Sequence, residues 1–250
     1  MSAPAASLQT VLITGAARRI GRAIALDLAQ TGWQVCVHYR RSEAEALHLV
    51  EEIKDLGGQA ATVSADLASD GDVSRLIPQC REALGTPVCL INNASEFQVD
   101  TVATTTSQAW DTHLDINLKA PVFLARAMFL GLPQGATGNV INIIDQRVWK
   151  LTPDFFSYTI SKAGLWTATR TLAQALAPRV RVNAIGPGPV LKSIHQTDAD
   201  FAREAQSTLL GRGPALDEIA AAVRFILASP SLTGQMIALD GGQHLTWSDG

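Results

Sequence analysis

Sulfur, charge and long apolar runs are all scarce in this 250-residue chain, and each scarcity excludes something. There are 3 cysteines, Cys36, Cys80 and Cys89, an odd number with neither a Cys-x-x-Cys spacing nor a Cys/His ligand pattern. A disulfide framework and a structural zinc site are therefore not expected, and Cys36 and Cys89 sit inside apolar, strand-like runs that suit buried thiols. The 5 histidines, His38, His48, His113, His195 and His244, show no metal-ligand spacing, so no metal is expected. Charged residues make up 17% of the chain and the net charge is −3, which leaves no broad cationic surface for nucleic acid or an anionic membrane. No apolar run approaches the roughly 20 residues a membrane-spanning helix needs. The opening Met-Ser-Ala-Pro-Ala-Ala-Ser lacks the basic start and apolar centre of a signal peptide. A cytoplasmic protein with no membrane or nucleic-acid partner is the expectation.

What is present is a 47% hydrophobic composition with a clear rhythm. A domain of this size buries roughly 70–75% of the surface its unfolded chain exposes, enough to stand without staples. Short runs rich in Val, Ile and Leu occur at 10–14, 34–39, 60–64, 87–92, 139–144, 180–184 and 235–239. Most are uninterrupted rather than alternating, the mark of strands covered on both faces. Amphipathic stretches at 21–30, 42–56, 70–84, 108–130, 157–177 and 217–228 lie between them. This alternation predicts a single-domain, doubly wound α/β (Rossmann) fold over 1–250, with a parallel sheet of about seven strands and helices on both faces. Gly32, Gly57, Gly85 and Gly138 fall where helix C-caps belong. Segment 186–216 holds much of the late Gly and Pro, lacks strand character, and reads as a flexible insertion with short helices near the site. Within it, 189–210 matches no pattern.

The first strand runs into Thr14-Gly15-Ala16-Ala17-Arg18-Arg19-Ile20-Gly21, and a helix follows at once. Small residues let the backbone approach a pyrophosphate, and the helix N-terminus adds amides and a positive dipole. An ordinary βα turn is the competing reading. The second strand ends in His38-Tyr39-Arg40-Arg41-Ser42, with no carboxylate until Glu43. Arginines and a serine suit a ribose 2′-phosphate, so NADPH (with NADP+ as product) is expected in preference to NADH. Tyr158 and Lys162, four residues apart, share a helix face. An ammonium beside a phenol is expected to lower the phenol pKa and make it a proton donor next to a carbon that receives hydride.

Taken with their order and spacing, these pieces resemble the short-chain dehydrogenase/reductase family over nearly the whole chain. The matching residues are Thr14–Gly21, Asp66-Leu67, Asn92-Asn93-Ala94, Asn117, Tyr158 with Lys162, Asn183 with Gly186-Pro187-Gly188, and Leu239-Asp240-Gly241-Gly242. The resemblance implies that Asn117, Tyr158 and Lys162 belong to a catalytic tetrad. It implies that Lys162 also holds the nicotinamide ribose, that Asn117 keeps a relay water, and that Asp66 and Leu67 sit by the adenine. Gly15, Arg18, Ile20, Gly21, Asn93, Ala94 and Gly188 join the implied cofactor set, and a homotetramer with Trp247 near a neighbouring site or an interface is implied.

Three positions depart from the family pattern. Arg19 replaces the middle glycine of the loop, Ser95 replaces the glycine after Asn-Asn-Ala, and Asp145 replaces the tetrad serine. The same departures mark the pteridine reductases, a branch to which dihydromonapterin reductase is related; the strand ends of this branch resemble His38-Tyr39 with Arg41-Ser42, and Asn92–Ser95 with Phe97. By that likeness Phe97 stacks on a pterin, Ser95 bonds it, Arg19 touches pyrophosphate and substrate, and Tyr158 with Asp145 delivers protons. Asp145 either stays charged against a cationic edge or holds a raised pKa and donates, and Phe97 has a plain alternative as a core or lid aromatic. The expected activity is reduction of a pterin-like small molecule. A general NADPH carbonyl or 3-oxoacyl reductase and a silent NADPH-binding sensor are the alternatives.

Overall fold

The computed structural model describes residues 9–247; the opening residues read above for a signal peptide lie outside that range. Seven parallel strands form one sheet in the order β3-β2-β1-β4-β5-β6-β7. They are β1 (Thr10–Ile13), β2 (Gln34–Tyr39), β3 (Gln59–Ser64), β4 (Pro87–Asn92), β5 (Gly138–Ile143), β6 (Val180–Pro187) and β7 (Met236–Leu239). Eight α-helices connect and flank them: α1 (Arg19–Gln30), α2 (Glu43–Asp55), α3 (Asp70–Leu84), α4 (Ser107–Leu114), α5 (Ala120–Gly131), α6 (Phe156–Leu176), α7 (Asp198–Gln206) and α8 (Leu216–Ala228). The sheet divides the core in two. Val11, Ile13, Val35 and Val37 face α1, α2 and α8, whereas Leu12, Cys36, Leu90 and Val140 face α3, α5 and α6. Alternate residues of each strand are thus apolar toward different helices, which is why the runs read as continuous. All three cysteines are buried and free. Among the described residues no helix is long and apolar enough to cross a membrane, and no group of three metal-ligating side chains forms.

The strand order reverses between β1 and β4, the switch point at which such sheets open a crevice beyond their carboxyl ends. A buried polar chain locks the strands there. Asn92 donates to Asn142 and Asn142 donates to Thr169, each at 2.8 Å, tying β4, β5 and α6 into one frame.

Three expectations change. The stretch 108–130 is not one helix: a single turn of wider π-helix, Asp115–Lys119, separates α4 from α5. The extra residue rotates Asn117 into the protein, a placement typical of functional sites. Gly138 is not a helix C-cap but the first residue of β5, where a Cβ would meet the Val88 carbonyl at 3.0 Å and press on Leu132 and Met128. The predicted strand at 180–184 runs on to Pro187, so the segment from 186 begins in the sheet, and its short helix is α7.

Candidate active site

A cleft of about 960 Å³ opens over the carboxyl ends of β1, β2, β4, β5 and β6. Thr14, buried just past β1, braces its lining by accepting the Asn93 and Ala94 backbone N–H groups, both at 3.0 Å. Asn93 donates back to the carbonyls of Thr14 and Gly15 at 2.9 and 3.1 Å. Gly15 has φ +62°, and a Cβ there would lie 3.0 Å from Ala94 Cα. Gly21 is needed for packing instead: its Cβ would meet the Gly15 carbonyl at 2.5 Å. Arg19 occupies the same left-handed region, φ 53°, which accounts for glycine as the family's usual residue at this place. No side chain caps α1, so its first-turn amides face the cleft mouth available to an anion.

His38 lies beneath this loop rather than in it. The Gly15 N–H donates to His38 Nδ1 at 3.0 Å, and Nε2 faces the Ala65 carbonyl at 3.1 Å. A backbone N–H can only donate, so Nδ1 is the acceptor, Nε2 carries the proton and the ring is neutral. Burial lowers its pKa to about 4. Both ring nitrogens are engaged by the protein, so His38 supports the loop while it also lines the cleft. Tyr39, Arg40, Arg41 and Ser42 line the cleft. Arg18 pairs with Glu45, Tyr39 donates to Glu43 at 3.2 Å, and Arg40 lies 3.7 Å from Glu96 and 4.0 Å from Asp66. Leu67 faces the cleft but Asp66 does not line it; its backbone N–H and carboxylate are engaged with Asp72 and Ala68.

At the other end Tyr158 donates to Asp145 at 2.9 Å. Asp145 leaves β5 as the cap of a short 3-10 turn and accepts the Arg147 N–H at 2.8 Å. Burial raises the Asp145 pKa, opposed by the Arg147 bond and guanidinium, by Tyr158 and by Lys162. Tyr158 is pushed well above the ordinary phenol value by burial and then by the Asp145 charge. The spacing argument expected Lys162 to pull that pKa down. Instead Lys162 Nζ lies 5.8 Å from the Tyr158 ring centre and donates to the Ile143 carbonyl at 2.9 Å. Burial lowers Lys162 to about 8, partly offset by Asp145. Asn117 does not line the cleft. It bridges Glu96 N–H (2.8 Å), the Glu96 carbonyl (3.0 Å) and Ser161 (3.0 Å), and accepts from Ser95 at 3.2 Å.

Phe97 stands edge-on to Tyr158, with centroids 4.7 Å apart, and one of its faces is stacked on Phe155 at 4.5 Å and 10°. Arg147 covers the Phe155 ring at 4.8 Å. Arg19, expected at pyrophosphate and substrate, here donates to the Leu191 and Lys192 carbonyls at 3.0 and 2.9 Å, holding the loop after Gly188 over the cleft. Several lining residues escaped the sequence reading: Glu96, Gln146, Arg147, Phe155, Gln196, Glu204 and Gln243. Phe155, with φ 57° three residues before Tyr158, had a positional signal. The others come from loops whose approach no spacing encodes.

A family model described as short chain dehydrogenase matches residues 9–202. The chain is 32% identical over 246 residues to a 3-oxoacyl-acyl-carrier-protein reductase of Synechocystis, covering 95% of this chain and 98% of that one. Among solved structures it resembles FolM alternative dihydrofolate reductase 1 from Brucella suis in complex with NADP. The two share 51% identity and a TM-score of 0.95, with 98% of each chain covered. It also resembles a blue fluorescent protein from a metagenomic library in complex with NADPH, at 28% identity and TM-score 0.87, covering 94% of this chain and 97% of that one.

Proposed function

The chain belongs to the short-chain dehydrogenase family, and from that premise we propose that it is an NADPH-dependent reductase of a pterin or dihydropterin. The observation that carries this is the Tyr158–Asp145 hydrogen bond of 2.9 Å beside the Phe97 ring. A carbonyl substrate needs one phenol and one neutral hydroxyl. A planar heterocycle with adjacent basic nitrogens calls for an aromatic wall and an acid–carboxylate pair. The likeness to an alternative dihydrofolate reductase of Brucella suis supports the same reading.

The residues present fit the cofactor. The open amides of α1, the close approach at Gly15 and the Arg40-Arg41-Ser42 edge suit pyrophosphate and a 2′-phosphate. Bound there, NADPH supplies hydride to the ring carbon of a C=N bond. Tyr158 supplies the proton to the neighbouring nitrogen. Its raised pKa suits the step, because nitrogen that has gained an electron pair is a far stronger base than a phenolate. Lys162, with a pKa of about 8, remains mostly cationic at neutral pH, and Arg147 is the cation that eases formation of the phenolate. Asp145 orients the phenol and, through the solvent side of the cleft, returns its proton. Ser95 and Asn117 hold the Glu96 backbone in place beneath the substrate, and segment 186–216 serves as the substrate loop that Arg19 ties down.

The similarity to the 3-oxoacyl reductase favours a second reading, a general carbonyl reductase in which Asp145 is incidental. NADPH oxidation with a dihydropterin panel, dihydrofolate and a β-ketoacyl thioester, on wild type and Asp145→Ser, separates the two. Dihydropterin turnover abolished by Asp145→Ser is the expected result. Ketoacyl turnover alone, kept or improved by the substitution, would overturn the pterin reading.

A further inference from the structure

Behind Tyr158, away from the cleft, Asp100, His113 and Ser157 form a buried cluster that takes no part in the steps above. Hydrogen-bond accounting fixes its protons. The Gln98 N–H donates to His113 Nε2 at 3.1 Å, so Nε2 is unprotonated and the ring neutral. Nδ1–H then donates to Ser157 Oγ at 2.7 Å, and the Ser157 hydroxyl hydrogen goes to Asp100. Asp100 also accepts the Ser157 N–H at 3.2 Å, and its carbonyl accepts the Phe156 N–H at 3.2 Å. These bonds satisfy the opening amides of α6, whose N-cap Phe155 offers no side-chain acceptor. The His113 ring packs edge-on against Tyr158, with centroids 6.0 Å apart. Burial lowers the His113 pKa, in keeping with the neutral ring. Ser157 does not reach the cleft, so the trio has no nucleophilic role despite its composition.

We propose that His113 is a positioning residue that sets Tyr158 against the substrate plane. One neutral imidazole joins three pieces: the loop carrying Phe97, the end of α4 just before Asn117, and the first turn of α6 that carries Tyr158. Its acceptor and donor must both be present, one on each side of the ring. The inference rests on Tyr158 as proton donor and not on the pterin reading, because carbonyl reduction uses the same phenol.

The test uses the full chain with NADPH and whichever substrate the panel shows to be reduced. His113→Phe keeps the ring against Tyr158 but can neither accept from Gln98 nor donate to Ser157. His113→Gln carries both an amide oxygen and an amide N–H. Ser157→Ala removes the relay with the smallest loss of volume. His113→Phe and Ser157→Ala should each lower kcat by about ten- to a hundred-fold, as small misplacements of a reacting group do. NADPH affinity should change by less than about two-fold, and His113→Gln should recover much of kcat. Unchanged kcat in both variants, or NADPH affinity falling in step with kcat, would overturn the proposal. A wild type that reduces nothing would instead remove the proton-donor reading on which it rests.

Discussion

At position 145 a carboxylate stands where a neutral hydroxyl is usual, and the phenol of Tyr158 donates to it. Replacing Asp145 by serine keeps an acceptor but deletes the charge, so dihydropterin kcat should drop by about 10²–10⁴-fold, the range for loss of a positioned acid–base group. Lys162 shows the opposite side of the same burial. Its folded pKa of about 8 lies below the ordinary 10.5, so between those values the unfolded chain binds more protons and stability rises with pH. The full cost of holding the charged ammonium is therefore present below about pH 8, and amounts to about 3 kcal/mol at most. Urea unfolding without cofactor at pH 7 should find Lys162→Met more stable than wild type, and inactive; a less stable variant would refute this account. Residues at fixed offsets from a strand end or along one helix, such as Gly15, Arg41, Asp145, Tyr158 and Lys162, were legible in the sequence. His113 and Asp100 were not, because they meet Ser157 across 44 and 57 residues, and the support His38 gives the Gly15 loop was not, because it depends on the packed sheet.

Elements were legible where apolar periodicity is strong, and less so where a local irregularity does the positioning. All seven strand runs became strands of one sheet, since fully buried parallel strands need continuous apolar sequence. The π-turn at Asp115–Lys119 left no trace in the pattern, because a one-residue insertion shifts a helical stripe without breaking it. The loop after β6 is likewise set by contact rather than periodicity. A Cβ on Gly213 would come within 1.8 Å of the Pro189 carbonyl, so this glycine is required for close approach alone. Gly213→Ala should push residues 189–192 outward and break the two bonds from Arg19. The expected result is a rise of about ten-fold or more in KM for NADPH and substrate, with kcat changed less. Steady-state kinetics unaltered in KM would show that the loop accommodates the methyl without moving.

For the whole molecule, the two cores account for one side of each helix, yet the outer face of α5 carries apolar residues on either side of the exposed Arg126. Leu124, Ala125 and Met128 are buried against the sheet, while Phe123 and Leu130, seven residues apart on the same outward face, are 50% and 64% exposed. Large exposed apolar side chains flanking an arginine are a composition that suits a contact surface. A homotetramer is the expectation to be tested, and the outer face of α5 is one surface that would suit another chain. Light scattering at micromolar concentration should therefore give four times the chain mass. Phe123→Glu puts a charge on that face and touches nothing in the cleft. It should lower the mass to that of dimers or single chains and leave NADPH affinity within about two-fold of wild type. A wild-type mass of one chain, or a tetramer indifferent to Phe123→Glu, would show that α5 keeps its outer face to solvent and that its apolar character has another origin.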